Sequence, residues 1–174
     1  MSRTDVEATG PHGKKLEKLV DLIAASPTFI AAVDNGAERD HIFHPVLTVK
    51  TSPDNPLAIQ ERVTFPIAVV QNAGEFQFVK QGVSDGGHFR PRGALLLSLF
   101  DRCRDPDHLG NSEMHFTNFW DGVLADIVRA SGSNTSLTVS GTQMQTPPQR
   151  SPQRQENVVG DYWGCRHIIR YSDV

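Results

Sequence analysis

Leu16, Leu19, Val20 and Ile23 recur at i, i+3, i+4 and i+7, which places one apolar stripe on a helix beginning at His12. Lys14, Lys15, Lys18 and Asp21 fall largely off that stripe. Ser26-Pro27 interrupts it, because a residue before proline avoids the α region. Serine followed by proline also suits an N-cap and a first helical position. A second, short helix is predicted from Pro27 to about Asp34, with Phe29, Ile30 and Val33 inward, ended by Asn35-Gly36. The longest helix spans Asn111 to Ala130, where Phe116, Phe119, Trp120, Val123, Leu124, Ile127 and Val128 make a broad apolar face. Asn111 or Ser112 can cap its start, and Arg129 with Gly132 marks its end.

Between and after these helices the pattern changes to extended segments. His41 to Val49 is a first extended stretch, followed by the turn-rich Thr51-Ser52-Pro53-Asp54-Asn55-Pro56. Pro66 to Val70 is a short buried strand, Asn72-Ala73-Gly74 a turn, and Glu75 to Lys80 an alternating strand. A loop at Ser84-Asp85-Gly86-Gly87 precedes Gly93 to Phe100. That strand does not alternate: Leu95, Leu97 and Leu99 face one way, Leu96, Ser98 and Phe100 the other. A solvated face would carry polar groups, so both faces of this strand are expected to be covered, by the rest of the fold or by a neighbouring subunit. Leu137 to Gln145 and Tyr162 to Tyr171 are the last two strands. The latter puts Trp163, Cys165, His167, Ile169 and Tyr171 on one side and Tyr162, Gly164, Arg166, Ile168 and Arg170 on the other.

Strands in a run, with helices segregated, imply an α+β fold: a mainly antiparallel sheet with two principal helices packed on one face. Residues 1–11 read as a flexible polar arm and 12–174 as a single domain with a Pro-rich loop or hairpin arm at 146–157. A chain of 174 residues can bury a core without staples. Gly and Pro, at 14 and 11 residues, point to long loops around that core.

Net charge is −3, and acids exceed bases by one in each of the segments 1–50, 51–110 and 111–174. There is no basic stripe to neutralise phosphates, so autonomous nucleic-acid binding is disfavoured. No apolar run is long enough for a leader or a membrane span. Cys103 and Cys165 stand far apart and in no metal or redox spacing, which suits two thiols.

Candidate chemistry is thin. His41-x-x-His44 lies in an extended segment, so its imidazoles do not share a helix face, and no paired cysteines or H-E-x-x-H accompany it. Asp101, Asp105, Asp107 and His108 follow the Leu-rich strand, interleaved with Arg102 and Arg104, and read as a charged loop. A metal-assisted hydrolase would need these acids to converge with His41 and His44. There is no G-x-S-x-G elbow, Walker loop or G-x-G-x-x-G. The expectation is no enzyme, no cofactor and no metal.

Three stretches carry a resemblance. The first is Ala25-Ser26-Pro27-Thr28-Phe29 with Ala31-Ala32-Val33, running into Ile42-Phe43-His44-Pro45. The second is Gly86-Gly87-His88-Phe89-Arg90-Pro91-Arg92-Gly93 feeding Leu95 to Phe100. The third is Gly160-Asp161-Tyr162-Trp163 opening a strand that ends at Arg170-Tyr171. Across residues 12–130 and 158–172 the chain resembles the tail terminator (tail-completion) proteins of long-tailed bacteriophages. The resemblance implies a virion structural protein at the tail–neck junction, made in the host cytoplasm. It implies a hexameric ring that caps the tail tube, meets the tube protein and the head-side neck or connector protein, and lets DNA pass through its lumen without sequence-specific binding. Another head–tail joining protein would share this order. Aromatic and arginine side chains are enriched in interface cores, so Phe89, Arg90, Arg92 and Trp163 are candidate contacts. Pro147, Pro148, Arg150 and Arg154 join them from the Pro-rich segment. The competing class is a peptide-binding adaptor that captures its ligand at that segment or at a sheet edge.

Overall fold

The computed structural model describes residues 8–34, 36–43, 65–81, 88–131, 137–150 and 161–172, and among these it has three α-helices and five strands. In chain order they are α1 (Pro11–Ala24), α2 (Pro27–Ala32), a 3-10 turn (Glu38–His41), β1 (Ile42–Phe43), β2 (Ile67–Gln81), β3 (His88–Arg102), α3 (Leu109–Ser131), β4 (Val139–Arg150) and β5 (Tyr162–Ser172). The sheet order is β1-β2-β3-β5-β4. All pairings are antiparallel except the two-residue contact of β1 with β2. The α+β architecture is therefore as expected, with α1 and α3 on one face of the sheet. The Thr51–Pro56 turn, the Ser84–Gly87 loop, Asn35, Gly132 and residues 1–7 of the N-terminal arm lie outside the described residues.

The helices bury the stripes that their periodicity demands. Leu16, Leu19, Val20 and Ile23 of α1 meet Phe116, Phe119, Val123 and Ile127 of α3 in one core cluster. From the sheet come Ala68, Val70, Leu95, Leu97, Leu99, Trp163, Cys165, Ile169 and Tyr171. Lys15, expected off the stripe, is buried instead: its stem lies along the core and its ammonium sits 5.8 Å over the Tyr171 ring.

Ser26 caps α2 as predicted, its Oγ accepting from the Phe29 N–H at 3.2 Å. The same hydroxyl donates to Asp126 of α3 at 2.7 Å, and Thr28 N–H donates to that carboxylate at 3.1 Å. Although partial burial works against it, these hydrogen bonds hold the Asp126 carboxyl below the ordinary range. This tie turns α2 so that Phe29 and Ala32 go inward while Ile30 is exposed, which corrects the expected inward set. Helix α2 also ends at Ala32, and Val33 is extended.

The α2–α3 approach is close enough to need a glycine. A Cβ on Gly122 would lie 2.7 Å from Thr28 Cγ2 and 2.8 Å from its Oγ1. Threonine is stiff at χ1 and cannot swing away cheaply. Gly122→Ala should therefore lower stability by about 1 kcal/mol, the clash outweighing the helix-propensity gain. Adding Thr28→Ala should reverse the sign and reveal that gain. Urea midpoints of the three variants check this.

The sheet departs from expectation in three places. The Asn72-Ala73-Gly74 turn does not form. Residues 67–81 are one continuous strand with a bulge, where Asn72 pairs Leu95 and the next pair is Phe76 with Gly93. Gly74 supplies the positive φ of +76° that this bulge uses. The Leu-rich strand runs from His88 to Arg102, longer than Gly93 to Phe100. Strand β4 runs to Arg150, so Pro147 and Pro148 lie on an edge strand, where a missing N–H does no harm. Of the extended stretch His41 to Val49, only Ile42–Phe43 is strand; residues 44–49 are outside the described set.

On the face away from the helices, Ala94, Ser98 and Phe100 are as buried as the leucines. Phe65 stacks on Tyr162 at 5.4 Å, and Phe100 meets Tyr162 edge-on at 6.2 Å. Leu96, on the same face and paired with Ile168, is only half-buried, so the single chain covers most but not all of the Leu-rich strand's second face.

Candidate assembly surface

Strand β3 gains β5 as a partner from Arg92 onward, where Arg92 pairs Ser172. Before that point, among the described residues, β3 pairs β2 alone, through Gln81–His88, Lys80–Phe89, Val79–Arg90 and Phe78–Pro91. Residues 78–81 and 88–91 thus form a two-stranded ribbon, rooted at Gln77 and Arg92, that overhangs the rest of the described sheet. Strand alternation gives the ribbon two unlike faces. Phe76, Phe78 and Lys80 share one, on the side where the helices lie but beyond them. Gln77, Val79, Arg90 and Arg92 share the other.

Phe78 is 54% exposed and Phe76 38%. Their rings meet edge-to-face at 4.9 Å, and the His12 ring from the start of α1 lies 4.8 Å from Phe76. His12 ties the root of the ribbon to the body. Its Nε2–H donates to Asn72 Oδ1 at 2.6 Å, while Nδ1 accepts from the Tyr171 hydroxyl. A single tautomer of the ring satisfies both partners at once. The backbone is equally tight here: a Cβ on Gly93 would fall 2.6 Å from the Glu75 carbonyl oxygen and 2.8 Å from the Tyr171 hydroxyl.

The residues predicted as contacts are divided by the fold. Arg90 and Arg92 are exposed on the ribbon, and Phe89 lies in its backbone pairing with Lys80. Pro147 is exposed and Pro148 half-buried on the β4 edge. Arg150 there donates to Asp161 at 2.8 Å. Arg154 lies outside the described residues. Trp163 is only 5% exposed. It stacks on Phe116, and its indole N–H donates to Ser112 Oγ at 2.9 Å, so its ring serves the core and not a neighbour. Phe76, Phe78 and Lys80 were not singled out. Their alternation marks a strand with one apolar face, which ordinarily means a buried face, and only the reach of the helical layer leaves it bare.

The candidate chemical groups serve the fold. His41 is buried, and its Nδ1–H donates to the Pro66 carbonyl at 2.9 Å; His44 is outside the described residues. Asp105 adopts a positive φ of 53° and accepts from His108 at 2.9 Å and Asn111 at 3.0 Å, which knits the β3–α3 connection together. The hydrogen bond from His108 does most to hold its carboxyl below the usual range. Among the described residues, no three His, Cys, Asp or Glu side chains are grouped to hold a metal ion. Cys103 hydrogen-bonds Ser112 Oγ at 2.9 Å, and burial pushes the Cys165 thiol up to about 12.

Asp101 is the exception to this good order. It is buried at the end of β3, with Arg104 Nε 3.5 Å from Oδ2 and, among the described residues, no partner for Oδ1. Burial raises its pKa despite Arg104. The charged carboxylate thus costs stability, and the cost grows as pH rises through the folded-state pKa. Asp101→Asn is expected to stabilise the protein by about 1 kcal/mol at pH 7. Little or no gain should remain below the ordinary carboxylate range, which chemical denaturation at the two pH values would reveal.

No helix among the described residues is long and apolar enough to cross a membrane. Comparison of the chain with known protein families and with curated proteins finds no match.

Proposed function

We propose that this chain is a virion assembly subunit of the tail-terminator kind, forming a hexameric ring that caps a tail tube and joins it to the head-side neck. The overhanging ribbon carries the reading. A two-stranded extension with two exposed phenylalanines is costly for a subunit that works alone, and its aromatic face is the sort that assembly covers. Arg90 and Arg92 on the reverse face, and the β4 edge with Pro147 and Pro148, supply further contact surface. In this reading DNA passes through the lumen, and no residue is assigned a catalytic role.

A peptide-binding adaptor would use the β4 edge, which pairs no further strand among the described residues. That edge is poorly suited to strand addition. Its pairing with β5 shifts register at three places, and Pro147 and Pro148 offer no N–H to an incoming strand.

Mass photometry of the purified protein, alone and with its candidate tail-tube partner, tests the assembly reading. A hexamer, or a ring formed on tube ends, is the expected result. A strict monomer that ignores tube ends would remove the basis for it.

A further inference from the structure

The ribbon's counterpart lies at the other end of the same molecule. Strand β3 runs away from the ribbon, and α3 starts after it, so Leu109 lies beyond the far end of the sheet. From Pro91, opposite Phe78, to Arg102 is roughly 35 Å of strand. At that far end Leu109 and Met114 are 56% and 59% exposed. Glu113, one helical turn from Leu109 and next to Met114, is exposed as well. Glu113 has no ion pair among the described residues, and neither does the exposed Lys80 on the ribbon's aromatic face.

We propose that these two surfaces mate between copies, head to tail. Phe76, Phe78 and Lys80 of one subunit dock on Leu109, Met114 and Glu113 of the next. The inference rests on the assembly reading and names the surfaces it would use. Within one copy the patches cannot meet, because the length of the sheet separates them. Self-pairing gains no attraction between opposite charges: of these charges, ribbon on ribbon would bring together only Lys80 side chains and helix on helix only Glu113 side chains. Ribbon on helix brings opposite charges together beside exposed apolar side chains on both surfaces. Such a contact uses unlike surfaces, so it repeats around a ring when the rotation closes.

Disulfide trapping in a Cys103→Ser background tests the pairing, since Cys165 is buried. Phe78→Cys and Met114→Cys are prepared separately, then mixed under mild oxidant. The mixture is expected to form linked dimers at least about tenfold faster than either variant alone. Self-linking of Phe78→Cys at the rate of the mixture would overturn the head-to-tail arrangement. Charge reversal gives a second measurement without added cysteines. Lys80→Glu and Glu113→Lys should each weaken association by about tenfold, and the double variant should recover it. Unlinked subunits and unaffected association in a preparation that light scattering shows to be oligomeric would overturn the pairing while leaving assembly intact. A strict monomer that also ignores tube ends would overturn both.

Discussion

Gly93→Ala is expected to lower the stability of the protein by about 2 kcal/mol, although alanine is ordinarily the better residue in a strand. Gly93 is where the ribbon leaves the body. It pairs Phe76 on one side and Tyr171 on the other. The bulge folds the Glu75 carbonyl over it, and the Tyr171 hydroxyl crosses the same space towards His12. A methyl group would meet a backbone oxygen at 2.6 Å and a phenol oxygen at 2.8 Å. Neither is the loose end of a flexible chain. Reduced freedom in the unfolded state returns about 0.5–1 kcal/mol, which is less than the overpacking takes away. Equilibrium urea unfolding measures the loss. Adding Tyr171→Phe should recover only part of it, because the Glu75 carbonyl remains. Full recovery would locate the strain in the ring alone. Hydrogen exchange on residues 76–81 and 88–92 should rise in Gly93→Ala, because the bulge anchors the ribbon's register.

Acid should destabilise the protein through His167 by about 2 kcal/mol as the pH falls from about 7 to 4. The imidazole sits in β5 between Leu97 and Met144, with the Trp120 ring at 5.1 Å. Burial lowers its pKa from 6.5 to about 4. Above pH 7 it is neutral both folded and unfolded and has no effect on the balance. Below the unfolded value the free chain takes up a proton that the folded chain declines, so stability falls until the folded group also titrates near pH 4. Full conversion of the shift would give more, and partial solvent screening reduces it. His167→Gln should flatten this segment of the stability–pH curve. An unchanged curve in that variant would place the acid sensitivity elsewhere. Asp101 acts in the opposite direction over the lower part of the range, so the comparison is best made with Asp101→Asn present in both chains.

Much of this arrangement was legible in the residues. Leu16, Leu19, Val20 and Ile23 can share a face only on a helix, and the alternation from Tyr162 to Tyr171 can satisfy one core only as a strand. Those signals are repeated over many positions, so no single neighbour overrides them. The bulge was not legible. Asn-Ala-Gly offers the same left-handed conformation to a turn and to a bulge, and the choice is made by whether Gly93 keeps its place across the ladder. The Pro147-Pro148 pair misled for a related reason: proline excludes a central strand, and only the sheet order reveals that β4 is an edge. Trp163 was placed at an interface by residue type, but its alternation with Cys165, His167 and Ile169 had already put it on the core face. Phe76 and Phe78 show the converse limit: alternation marks an apolar strand face, but only the placement of the helices decides whether that face is covered.

The order of strands has a consequence for how the chain reaches this state. Strand β5 is the last element described, yet it lies between β3 and β4 and holds them together. Its pairing with β3 joins residues some seventy positions apart, such as Leu99 and Cys165. Loop closure over that span comes before any reward from contact, so folding is expected to be slow beside that of a helical bundle of the same length. During synthesis, β2 and β3 can pair as soon as they emerge, but the sheet stays split until Tyr162–Ser172 is free. Until then the flank of β3 that awaits β5 is an unpaired strand edge rich in leucine, the point at which nascent chains of this protein are most open to aggregation.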